Sequence, residues 1–195
     1  MSVASLALVL LLAAGLAAAD SPVPPAAEKI LALFEQLSGA GTQPGSAPRH
    51  LSFALSEDEI NTYIRYALRT APRPGLDSVT LKIFPRNYVS TLSVIDFDAI
   101  ERWQPGTIPP LLRPVLRGRQ TIWVDFRFAI ADSVFTFSVE KAYYDKLRLP
   151  AWFVENVIQI LAARQPEQLD TSRPLPLPFD LRYLRTESRM LKGGT

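Results

Sequence analysis

Apolar positions Ile30, Leu33, Phe34 and Leu37 follow the i, i+3, i+4, i+7 spacing of one helix face and predict a helix over Ala26 to Leu37, opened by Pro24-Pro25 and ended by Gly39. A stretch rich in Gly, Ser, Ala and Pro follows from Gly39 to Pro48, so this helix reads as a loosely tethered arm. Ser56 and Glu59 form a capping-box pattern, with Glu57 and Asp58 beside the positive helix start. The helix they open runs to about Thr70 with Ile60, Tyr63, Ile64, Ala67 and Leu68 on one face, and Pro72, Pro74 and Gly75 stop it.

The period then changes to two. Val79 to Phe84 and Tyr88 to Phe97 alternate around a turn at Pro85-Arg86-Asn87. In Thr121 to Ala131, Ile122, Val124, Phe126, Phe128 and Ile130 point one way, and Trp123, Asp125 and Arg127 the other. Asp132-Ser133 is a tight turn, and Val134 to Glu140 returns antiparallel with Phe135 and Phe137. Leu149-Pro150 leads into a helix over Ala151 to Ala163, ended by Pro166. Arg173 to Pro178 reads as extended polyproline-like chain, and Leu181 to Thr186 with Arg189 to Lys192 as a closing hairpin. Strands and helices do not alternate regularly, so the class is α+β with a meandering antiparallel sheet.

The N-terminus adds an address. Leu6 to Leu16 is continuously apolar and Ala17-Ala18-Ala19 suits a signal peptidase, although Met1-Ser2-Val3 carries no Lys or Arg. Residues 1–19 are therefore expected to be a signal peptide cleaved after Ala19, giving a periplasmic or secreted protein. The alternative is a protein tethered to the membrane by an uncleaved segment. The 195 residues less those 19 leave 176, enough for one core, divided here into an N-terminal helix and linker over 20–49 and a single α+β domain over 50–192. With no cysteine in the chain, disulfides, thiol catalysis and Cys-ligated metals are excluded. The net charge of +2 comes from scattered basic residues, which argues against nucleic acid as a partner.

Candidate chemistry is sparse. His50 is the one histidine, and no Gly-x-Ser-x-Gly elbow accompanies it. Asp96, Asp98 and Glu101 read as the end of a strand capping a turn rather than as a cation site. No Gly-rich phosphate loop is present, and neither a metal nor a cofactor is implied. Arg113 and Arg117 stand among leucines and valine ahead of the strong strand, a candidate contact for anionic lipid headgroups at a membrane surface. The helix after Pro150 carries apolar residues nearly all round, more than the roughly 100° stripe a helix needs to top a sheet. Its Phe153, Val157 and Leu161, the strand residues Phe126, Phe128, Phe135 and Phe137, and Ile60, Ile64 and Leu68 of the capped helix form a candidate lining for an apolar cavity.

The run Leu55-Ser-Glu-Asp-Glu-Ile-Asn61, the strand end Ile95-Asp-Phe-Asp98, the Leu149-Pro150 helix entry and Pro176-Leu-Pro-Phe179 before the closing strands resemble exported bacterial proteins with tubular lipid-binding folds, of the YceB-like and mannan-elongation-associated phospholipid-binding types. That resemblance spans roughly residues 51 to 192. It implies a long curved antiparallel sheet wrapped around one or two long helices, with lipid tails held in an apolar tunnel. Together these readings lead to the expectation of a non-enzymatic periplasmic protein that binds or shuttles a lipid or other amphiphile. The alternative is an envelope assembly or scaffold protein with a solid core, acting through an envelope protein partner. A hydrolase is disfavoured, because no nucleophile–base pair can be assembled from these residues.

Overall fold

A computed structural model describes residues 22–39, 50–108, 110, 112–131, 134–152, 154–155, 175–176, 179 and 181–195. The expected signal at 1–19 and the linker at 40–49 lie outside them. So do Phe153, Val157 and Leu161, together with most of the predicted helix after Pro150.

Among the described residues, the helices α1 (Pro25–Gly39), α2 (Glu57–Thr70) and α3 (Phe97–Trp103) combine with nine strands in two antiparallel sheets. The strands are β1 (Ser52–Ser56), β2 (Leu76–Phe84), β3 (Tyr88–Asp96), β4 (Arg119–Ala131), β5 (Val134–Tyr144), β6 (Leu147–Leu149), β7 (Leu175–Pro176), β8 (Tyr183–Glu187) and β9 (Met190–Gly194). The small sheet has the order β1-β9-β8, and the large one β2-β3-β4-β5-β6 with β7 pairing β5. The α+β class thus holds. The single meander becomes two sheets, because the chain before α2 pairs with the closing hairpin, Ser52 to Ser56 opposite Gly194 to Met190. Such a pairing joins segments far apart in sequence and leaves no local signal.

The Leu55–Asn61 run shows why α2 sits where it does. Ser56 accepts the Glu59 amide at 3.2 Å and the Glu59 carboxylate accepts the Ser56 amide at 2.7 Å, completing the capping box. Glu59 also pairs with Lys29 of α1 at 2.7 Å. Asn61 is buried and donates to the Leu81 carbonyl while accepting the Leu81 amide, each at 2.8 Å. Glu57 accepts the Ile83 amide at 2.7 Å, and the Arg189 amide donates to the Ile83 carbonyl. All four of these outward-pointing backbone groups of β2 are therefore satisfied without another strand.

The expected arm is instead part of the core. Ala27, Ile30, Leu33 and Leu37 of α1 are buried with Ile60, Tyr63 and Ile64 of α2. The helix face read from the sequence was right, and its partner is α2, reached across the linker. Gly75 precedes β2 at φ +83°, where a Cβ would meet Ile100 and the Asp96 carbonyl. Arg86 and Asn87, both left-handed, close the β2–β3 turn as expected.

Replacing Asn61 by Ala should leave the Leu81 amide and carbonyl unpaired and destabilise the fold by about 3 kcal/mol. Urea unfolding should show this as a lower midpoint at unchanged slope. An unchanged midpoint would contradict the edge assignment.

Candidate functional site

Alternation along the large sheet separates two faces with different chemistry. On the inner face, paired positions form rows across the strands: Ile83–Val89–Phe126–Val139, Leu81–Thr91–Val124–Ala142 and Val79–Ser93–Ile122–Tyr144. A bulge between Asp125 and Phe126 keeps β5 in phase, placing Glu140 and Lys141 both outward and Val139 and Ala142 both inward.

Five of the expected cavity residues, Ile60, Ile64, Phe126, Phe128 and Phe135, are buried in one cluster with α1, and Leu68 and Phe137 pack against it partly buried. Phe128 and Phe135 stack at 5.6 Å between ring centres, and Phe137 lies 6.4 Å from Phe135. These side chains form the apolar wall under α1 and α2. Two further clusters share the same sheet face. One joins Val124, Val139 and Ala142 to Val154 in a short helical turn after β6. The other gathers Ile95, Phe97, Ile108 and Leu116 around the crossover between β3 and β4.

Ser93 stands where the three clusters meet. Its row neighbours are Val79 of the first and Ile122, which packs on both others, and Ile95 of the third lies two residues along β3. Ser93 is 0% exposed, and its hydroxyl has no hydrogen-bond partner among the described residues. Thr91 beside it is buried too, but donates to the Val124 carbonyl at 3.1 Å. A buried hydroxyl without a partner costs about 1–3 kcal/mol. Small residues (Thr91, Ser93 and Ala142) floor this seam, while the adjoining Ile83 row carries Phe126. Strand alternation alone places Ser93 with Val89, Thr91 and Ile95, so its inward aim was available from sequence although it was not singled out.

The basic lip divides. Arg113 pairs with Glu101 at 2.6 Å and donates to the Ile108 carbonyl, holding the crossover together. Arg117 stays exposed beside exposed Val115, whose carbonyl accepts the Tyr144 hydroxyl at 2.5 Å. Leu147, 62% exposed, lies just beyond the end of β5. His50 is exposed, with Nδ1 3.3 Å from the Thr195 carbonyl oxygen. Asp96 caps α3 by accepting the Ala99 amide at 2.9 Å, and among the described residues no three His, Asp or Glu side chains gather as metal ligands.

On the outer face, Asp125 is only 5% exposed, and its carboxylate accepts the Tyr88 hydroxyl and the Trp123 indole N–H, each at 2.7 Å. Burial, then the bond to Asp125, push the Tyr88 hydroxyl up to about 12. For Glu59, burial pulls upward, but the Lys29 and Ser56 bonds and the Lys29 charge outweigh it and hold its carboxyl below the usual value.

No family profile matches the chain, and no curated protein matches it in sequence.

A group whose folded value is raised contributes stability below its unfolded value, near 10 for tyrosine, and loses it as pH rises toward about 12. In residue-resolved ¹³C NMR titration, Tyr88 should therefore ionise last alongside buried Tyr63, itself near 12. Asp125→Leu should bring Tyr88 down while leaving Tyr63 in place. A Tyr88 that does not move would show that the carboxylate has no hold on it.

Proposed function

We propose that the protein binds or shuttles a lipid or other amphiphile without catalysis, holding the ligand's apolar part against the inner face of the large sheet. The observation that carries this reading is the Ser93 hydroxyl, buried and unpartnered where three apolar clusters meet over small residues. Apolar surroundings with one convergent polar group suit a ligand that is mostly hydrocarbon with an ester, amide or hydroxyl along it. The apolar contribution would scale at about 25 cal/mol per Å² buried and would set affinity, with Ser93 selecting the depth of insertion.

The finer architecture belongs to the same proposal. A tunnel would run along the seam, with the large sheet curving around α1 and α2. The likeness to tubular lipid-binding proteins points the same way, as does the apolar helix expected after Pro150. Export through the N-terminal segment would place the protein in a compartment where insoluble molecules must cross water. Exposed Val115 and Leu147, flanked by Arg117 and Lys146, suit contact with an anionic membrane surface where such a ligand enters. Arg113, committed to Glu101, is left out of that contact.

Native mass spectrometry of the purified protein should show a co-purifying lipid-sized adduct, identified after organic extraction. Phe126→Asp should abolish it. Ser93→Ala, which removes the hydroxyl and adds no bulk at this buried position, should weaken retention about fivefold to tenfold, as expected for one hydrogen bond of roughly 1 kcal/mol. A wild type that carries no adduct and takes up none from mixed micelles would contradict the reading.

A further inference from the structure

The outer face of the large sheet carries a second feature, independent of the seam beneath it. Phe84 and Tyr88 on β2 and β3, and Trp123 and Tyr143 on β4 and β5, form two aromatic pairs that make a diagonal strip, three inter-strand gaps or roughly 14 Å wide and offset by four residues, roughly 13 Å, along β4. Phe84 meets Tyr88 edge-on at 5.5 Å between ring centres, and Trp123 lies 5.6 Å from Tyr143. Trp123 is 46% exposed, yet its indole N–H is held by both Ser90 and Asp125 at 2.7 Å. Tyr88 is held through its hydroxyl by Asp125, and the Arg127 guanidinium lies over its ring, 5.4 Å from the centre. Solvent-facing aromatic rings lose rotamer freedom on binding, and here hydrogen bonds to Asp125 and Ser90 have already restricted Tyr88 and Trp123.

The cations decide the ligand's charge. Arg127 is neutralised by Glu140 at 3.1 Å and Arg119 by Asp77 at 2.8 Å. Lys82, Lys141 and Arg148 are exposed on the same face, flanking the strip, and form no ion pair among the described residues. We propose that this face binds an anionic polysaccharide, its sugar rings stacked on Trp123 and Tyr143 and its carboxylates or sulfates met by Lys82, Lys141 and Arg148. The C–H face of a pyranose is weakly positive and suits the negative face of an indole. An open strip on a sheet face takes an extended chain better than a small molecule, which needs enclosing walls. Single-stranded nucleic acid would need a basic groove tracking its backbone, and three cations on a chain of net charge +2 supply little of one.

The test is calorimetric titration of the purified protein with polygalacturonate, dextran sulfate, uncharged dextran and oligothymidine in low salt. At least one of the two anionic polysaccharides should bind, carboxylate or sulfate being told apart by which does, while dextran does not. Trp123→Ala, at an exposed position, should weaken that binding about tenfold. The triple variant K82Q/K141Q/R148Q should weaken it further and flatten its dependence on salt. Neither variant should change the lipid adduct, so this proposal and the amphiphile reading fail separately. Silence toward both anionic polymers, equal binding of dextran, tighter binding of oligothymidine, or an unaffected Trp123→Ala would each overturn it.

Discussion

The exposed edge of β2 is the constraint on which the rest of the structure depends. A strand with a free row of amides and carbonyls must find partners, and here side chains and a turn provide them in place of a further strand. Asn61 answers both backbone groups of Leu81, Glu57 answers the Ile83 amide, and the Arg189 amide answers the Ile83 carbonyl. The start of α2 is thereby fixed to the large sheet at one edge. The same bonds bring in the small sheet, since Arg189 lies in the β8–β9 turn and its side chain reaches Glu57 and Asp58. Thr186 extends the contact, its hydroxyl donating to the Phe84 carbonyl and its amide to the Asn87 side chain.

With α2 held at that edge and α1 packed on it, the helical layer covers the side of the inner face that β2 and β3 begin. The remainder is covered by different elements, the β3–β4 crossover and the turn after β6. Three covers on one sheet leave a junction, and the junction falls over Ser93. Trp123, Asp125 and Arg127 are displaced to the opposite face by the same two-residue period that turns Phe126 and Phe128 inward. The Glu140–Lys141 bulge preserves this division across β5, sending two consecutive charges to solvent where strict alternation would have buried one.

Much of this was legible in the chain. The capping box, the face of α2, the β2–β3 turn and the two sides of β4 follow from spacing alone, because each depends on residues near one another in sequence. The same applies to the co-location of Phe126, Phe128, Phe135 and Phe137, which needs only a hairpin. What could not be read depends on register and on distant pairing. Asn61 looks like a polar residue at the margin of a helix face until Leu81 stands opposite it. Tyr88 becomes a partner of Asp125 only once Ser90 pairs with Asp125 and Tyr88 with Arg127. The inclusion of α1 in the core was obscured by a Gly- and Pro-rich linker that suggested independence. The Arg113–Glu101 ion pair leaves no signal in spacing, because twelve residues of irregular crossover separate the two.

The two faces then divide the chemistry of the protein between them. The inner one is apolar with the Ser93 hydroxyl unanswered among the described residues, and the outer one is aromatic, polar and open. The central claim is that the seam at Ser93 receives the apolar chain of an amphiphile. Isotope-filtered NOE spectroscopy on ¹³C-labelled protein loaded with an unlabelled phospholipid tests it most directly. Cross-peaks should link acyl methylenes to the Ser93 β-protons and the methyls of Val79, Thr91 and Ile122. Acyl cross-peaks confined to exposed side chains such as Leu147, with none to Ser93 and its neighbours, would contradict it.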